Sequence, residues 1–131
     1  MGAEYGVEPA LSMLQMAKAR GIQVVEAFGE KIPFPGRMFG VILIAFTLCF
    51  LDQPQKALEE ARRVLQPDGG LVLGLILRGS PWAEFYQAKG KGGHPIFSQA
   101  HFYSKGEIED LLKAGGFVTW DYCSTLFQPP E

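Results

Sequence analysis

Two apolar runs constrain the fold of this chain more than any other feature. "FGVILIAF" (39–46) and "LVLGLIL" (71–77) are short and nearly continuous, which marks strands buried on both faces. The stretch between them opens on "DQP" (52–54). Asp52 is a candidate N-cap, and Pro54 suits a first helical turn. Leu58, Ala61, Arg62 and Leu65 follow at helical spacing, and "PDGG" (67–70) turns the chain into the second strand. A buried strand, a helix and a second buried strand predict an α/β fold, a mostly parallel sheet with flanking helices.

The flanking segments extend that alternation. Residues 3–7 end a strand. Residues 10–20 form a helix, with Met13, Met16, Ala17 and Arg20 on one flank and Gly21 as its stop. "IQVVEA" (22–27) is a β-branched strand, and residues 28–38, with prolines and glycines, form a loop. Residues 80–101 read as an irregular, aromatic-rich insertion. Residues 104–116 form a helix in which Ser104 and Glu107 have capping-box spacing. "FVTWDYCSTLF" (117–127) alternates as a half-exposed strand. A length of 131 residues suits one domain, 1–131, and 47% apolar residues suffice for a core.

Charge and composition exclude several classes. The net charge is −2, which gives no basic footprint for nucleic acid. The longest apolar run is strand length, so no membrane span is expected. No signal peptide opens the chain. Cys49 and Cys123 lack Cys-x-x-Cys spacing and read as buried, reduced thiols of a cytoplasmic protein. His94 and His101, seven apart with no third ligand, make no metal site, so the expected metal is none.

In parallel sheets ligands sit at the carboxyl ends of the strands. Glu8 stands at the first such end. A carboxylate there can accept two charge-assisted hydrogen bonds from a ribose diol. Taken alone, it reads first as a solvated carboxylate favoured by the helix dipole. Pro9 follows it, and Met13, one turn on, can pack on a purine or in the core. At the second end, Phe28 and the Gly29 amide can wall an adenine slot, and Glu30 can accept from an exocyclic amine. Their alternative is an ordinary loop with Phe28 in the core. Ala45 and Phe46 close the third strand, where the reacting end of a ligand would lie. Aromatic faces attract cations, a sulfonium included, although simple packing explains the pair as well. The insertion supplies Trp82, Tyr86, His94 and His101 as a substrate wall, and a histidine there can act as general base. Taken alone, the histidines read first as surface or structural.

Four stretches, in order, resemble one family. "GVEPALSML" resembles an acidic strand-2 motif. "EAFGEKIPFPGRMFGVI" resembles E-G-D-A-E-x-L-P-F-P-x-x-x-F-D-x-V. "LDQPQKALEEARRVLQPDGGLVLG" resembles L-x-D-P-x-x-A-L-x-E-x-x-R-V-L-x-P-G-G-x-L-V-x-G and is the most specific. "FYSKGEIEDLLKAGGF" resembles F-x-S-x-x-E-L-x-x-L-L-x-x-A-G-F. Together, over about residues 5 to 117, they resemble the class I S-adenosylmethionine-dependent methyltransferases of the methyltransferase type 11 group. The resemblance implies a Rossmann-like sheet and S-adenosyl-L-methionine as cofactor. It places Glu8 on the ribose, Met13 beside the adenine, and Gly29 and Glu30 on the adenine side.

The chain departs from that pattern at several points. Phe28 stands where Asp is common, Gly40 replaces the Asp of F-D, and Asp68 replaces the first Gly of P-G-G. Ala10 stands where Ser usually caps the helix, at a cost of about 1 kcal/mol. The E/D-x-G-x-G-x-G loop of the family's first strand does not occur. The family's strand order, 3-2-1-4-5-7-6, puts that strand between strands 2 and 4, and its last strand between 5 and 6. The expectation is a partial, truncated domain, incomplete at the N-terminus and at the C-terminus. Exposed edges then invite a homo-oligomer or a strand-swapped partner.

The function these features imply is transfer of a methyl group from S-adenosylmethionine to a small-molecule acceptor, with no catalytic residue assigned. The alternative is a non-catalytic remnant or assembly partner that has lost cofactor binding. A nicotinamide dinucleotide domain also uses an acidic strand-2 end, but its G-x-G-x-x-G is absent and the collinear later motifs oppose it.

Overall fold

The computed structural model describes residues 4–118 and 120–124. Four strands and four helices alternate as β1 (Tyr5–Val7), α1 (Leu11–Ala19), β2 (Gln23–Val25), β3 (Phe39–Ala45), α2 (Pro54–Val64), β4 (Leu65–Gly74), α3 (Pro81–Lys91) and α4 (Lys105–Ala114). Single 3-10 turns lie at Leu48–Phe50 and Phe97–Gln99. The strands form two parallel pairs, β1 with β2 and β3 with β4. Among the described residues no ladder joins the pairs. Three edge-to-face rings connect them at the start of the strands: Tyr5 to Phe39 at 5.7 Å, Tyr5 to Phe34 at 5.9 Å, and Phe34 to Phe39 at 5.3 Å.

The core lies on one face of β3 and β4. α2 presents Ala57, Leu58, Ala61 and Val64, all fully buried. These positions repeat every three to four residues, so they form one apolar stripe. Leu58 packs with Leu48 and with Ile108 and Leu112 of α4, against Ile44, Leu71 and Leu73 of the sheet. The opposite face is bare. Val41 and Leu43 are 52% and 59% exposed, and Val72, paired with Leu43, is 50% exposed. The expectation that residues 39–46 are buried on both faces is therefore corrected. The run is apolar on both faces, but within the described residues only one face has a cover.

Three further differences have local causes. Residues 80–101 were expected to be irregular, yet α3 fills half of them. Ser80 accepts from the Ala83 N–H at 3.1 Å, Pro81 sits in the first turn, and Lys89 and Lys91 lie at the carboxyl end. These are the standard start and stop signals of a helix. The "PDGG" turn lies inside β4, whose register jumps from Phe39↔Leu65 to Val41↔Gly70. A Cβ at Gly69 would lie 2.9 Å from the Gly40 carbonyl oxygen, so glycine at 69 lets the bulge pack against β3. The α2 N-cap is Gln53, one residue after Asp52.

Residues 117, 118 and 120–124 are not in a strand. The remaining residues of that expected strand, 119 and 125–127, lie outside the described residues. Of the two thiols, both free, Cys49 is half-buried and Cys123 is exposed, which corrects the expectation that both are buried.

Candidate cofactor site

Glu8 directly follows β1, and its N–H extends the ladder by donating to the Val25 carbonyl at 3.1 Å. Its Oε1 accepts the Ala10 N–H at 3.0 Å. Ala10, the α1 N-cap, has no side-chain acceptor of its own. Glu8 thus serves the orphan amides at the start of α1 from outside the helix. Its Oε2 has no hydrogen bond among the described residues. Pro9 and Met13 are exposed on the same end of α1, and Leu14 is the buried residue of that helix. Met13 is therefore surface rather than core.

The end of β2 lies beside Glu8, because β1 and β2 are paired. Phe28 is 65% exposed, and its carbonyl accepts the Lys31 N–H at 3.1 Å in a tight turn. That exposure removes the reading of Phe28 as a core residue. Gly29 is half-buried against Ala57. Glu30 turns toward α2, where its Oε2 accepts the Gln53 N–H at 3.4 Å. Its Oε1 is buried with no partner among the described residues.

At the end of β3, Ala45 is exposed and Phe46 adopts φ 54°. A left-handed backbone at a bulky residue costs about 1–2 kcal/mol and persists only when the surroundings impose it. The Phe46 N–H donates to the Gly74 carbonyl at 2.9 Å, and a Cβ on Gly74 would lie 3.6 Å from the ring. Behind it a cavity of about 10 Å³, lined by Phe46, Cys49, Leu77 and Tyr103, holds at most a water. Burial pushes the Cys49 thiol up, opposed by a backbone hydrogen bond. The Tyr103 phenol rises through burial and the Glu107 charge, with Cys49 adding to it. Both stay neutral at pH 7, so this wall carries no charge.

The substrate-wall residues fall into two places. Trp82 lies 5.9 Å from Tyr86, which stacks on Phe97 at 4.4 Å. His94 lies 4.8 Å from Phe97. The Nδ1 of His94 accepts the Ile96 and Phe97 amides, so this histidine first of all shapes the turn. His101 stands apart, with its ring against Tyr103 at 4.4 Å. Phe97 and Phe50, which face each other at 6.4 Å, were not singled out in the sequence. Their signal was only aromaticity near the strand ends. Among the described residues no group of three or more His, Cys, Asp or Glu can hold a metal ion.

Two parallel strand pairs with flanking helices, carrying an acidic side chain after β1, a loop after β2 and an aromatic side chain after β3, match a class I methyltransferase-type α/β fold. The family profile for the methyltransferase domain matches residues 2–73, and the chain belongs to that family. An uncharacterised protein of Mycobacterium tuberculosis is 42% identical over 130 residues, 99% of this chain and 46% of that protein. A ubiquinone/menaquinone biosynthesis C-methyltransferase of Ectopseudomonas mendocina is 39% identical over 109 residues, 83% of this chain and 37% of that enzyme. A crystal structure of an S-adenosylmethionine-dependent methyltransferase from Thermotoga maritima, described as a possible histamine N-methyltransferase, superposes with TM-score 0.80. It is 34% identical and covers 88% of this chain and 56% of that one. The chain thus spans about half the length of the relatives it matches. No helix among the described residues is long and apolar enough to cross a membrane.

Proposed function

We propose that this chain, as a single partial methyltransferase domain, binds the adenosine end of S-adenosyl-L-methionine and serves transfer of its methyl group to a small-molecule acceptor. The observation that carries this reading is the placing of Glu8 and Phe46 directly after β1 and β3, with residues 28–30 separated from the end of β2 by two residues. Glu8 Oε2 would accept from the ribose hydroxyls. Phe28 and Met13, both exposed, would flank the purine, and the Gly29 amide would face its ring edge. Pro9 would hold the turn that presents Glu8. Ala45 and Phe46 would lie toward the sulfonium, whose charge suits an aromatic face and an uncharged wall. Trp82, Tyr86, His94 and His101 would border the acceptor.

The cofactor supplies an activated methyl group when bound. The residues above bind, orient and exclude water. Free thiols and the lack of a spanning helix support a cytoplasmic setting, and neither membrane nor nucleic acid is assigned as partner. Calorimetry with S-adenosylhomocysteine tests the reading. Binding with one site per chain supports it. A folded sample that binds none favours the alternative, an assembly partner that keeps the fold without the cofactor.

A further inference from the structure

The crossing from β2 to β3 spans residues 26–38 without a helix of its own, yet it carries residues 28–30 of the proposed adenine slot. Its path follows α2. Near the start, the Gln53 N–H reaches Glu30 Oε2 at 3.4 Å, which is long for such a bond. At the far end Arg63, the tenth residue of α2, holds the crossing on three sides. Its Nη1 donates to the Phe34 carbonyl at 2.9 Å and its Nη2 to the Ile32 carbonyl at 2.8 Å. Its Nε donates to Glu60 Oε2 at 2.6 Å, which fixes the plane of the guanidinium. The Arg63 carbonyl in turn accepts the Arg37 N–H at 3.0 Å, and the Val64 carbonyl accepts the Met38 N–H at 2.8 Å. Arg37 itself is left-handed, φ 58°, which turns the chain into β3.

We infer that Arg63 is a positioning residue: its guanidinium fork ties the β2–β3 crossing to α2 and so fixes residues 28–30 at the ligand end of the sheet. The strengths at the two ends support this. All three bonds are charge-assisted, but the one at Glu30 is 3.4 Å long, whereas the two at Arg63 are 2.9 and 2.8 Å and so stronger. Three of the guanidinium's donors, fixed in one plane, meet two carbonyls and a carboxylate, a planar spread that a compact lysine ammonium does not reproduce. The value of the device for cofactor binding rests on the reading under Proposed function. The tether itself does not.

The test compares wild type, Arg63→Ala and Arg63→Lys in native-state trypsin digestion, following the cut after Lys31 against the cut after Lys18 in α1. Loss of two such bonds should speed the Lys31 cut about tenfold or more in both variants, with the Lys18 cut unchanged. Equal acceleration at both sites would show a merely structural role and overturn the inference, as would wild-type behaviour of Arg63→Lys. In parallel, calorimetry with S-adenosylhomocysteine should show weaker binding by both variants. Wild type that binds none defeats the functional reading alone, and the digestion still judges the tether.

Discussion

Glu8 shows how one side chain can be claimed by two demands. Its Oε1 supports the first turn of α1, and under the proposed function its Oε2 would accept from the ribose. The two roles separate by substitution. Glu8→Gln keeps an acceptor for the Ala10 N–H, so its melting temperature should stay close to wild type. Its affinity for S-adenosylhomocysteine should still fall, because a charged acceptor is lost; such bonds are worth about 1–3 kcal/mol. Glu8→Ala should lose both. Equal affinities for all three in calorimetry would remove Glu8 from the site. Its position was legible in the sequence because a strand end followed by Pro9 and a helix leaves little freedom. The same logic makes Ala10→Ser a stabilising change. Its backbone already has cap geometry, φ −87° and ψ 120°, and lacks only an oxygen. A gain of about 1 kcal/mol is expected in chemical denaturation. Arg63 is legible only as the R of L-x-E-x-x-R-V-L, three residues after Glu60, and its hold on the crossing has no local signal. Its partners lie about thirty residues upstream, and only the folded path of the crossing brings them together.

Among the elements, α4 was the best determined by sequence. Its start signals act within four residues, and both bonds of the capping box form: the Glu107 N–H to Ser104 Oγ at 3.2 Å and the Ser104 N–H to Glu107 Oε1 at 3.1 Å. Ser104→Ala should therefore cost about 1 kcal/mol in denaturant titration. Hydrogen bonding to Ser104 holds the Glu107 carboxyl below the usual carboxylate range, with the nearby charges of Arg78 and His101 adding to it. A lowered folded-state pKa gives stability that is present above the ordinary carboxylate range and is lost as pH falls through the lowered value. The melting-temperature gap between wild type and Glu107→Gln should then be open at pH 7 and close in acid below the ordinary range. A gap that does not change with pH would show that charge plays no part. α3 carried the same kind of signals in "SPWAE" and was still missed, because the aromatic content of residues 80–101 dominated the reading. In the described part of 117–127 the expected strand is absent for a different reason. Alternation specifies which face of a strand is apolar, but a strand exists only where a neighbour supplies its hydrogen bonds, and residues 117, 118 and 120–124 have none of that kind.

At the scale of the molecule, the described residues hold two parallel strand pairs and one covered sheet face. Apolar content in residues 39–46 made the strand legible, yet burial on both faces depends on what packs there, which no local pattern encodes. Val41, Leu43 and Val72 form one contiguous apolar strip, and β1 and β3 each pair on one side only among the described residues. Strips and edges of this kind drive association. We propose that the isolated chain associates with a second copy through this face of β3 and β4, by face-to-face packing. Sedimentation velocity over a concentration series should show the mass rising above 14.4 kDa. Val41→Lys combined with Leu43→Lys places two charges on the strip while leaving the α2–α4 core untouched, since both side chains point away from it. That variant should remain monomeric with a helical signal close to wild type, because a charge desolvated against a second apolar face is unfavourable by several kcal/mol. If wild type is monomeric at all concentrations, the face does not pair copies. If the double variant associates as strongly as wild type, contact runs through another surface, and the edge of β1 becomes the place to substitute next.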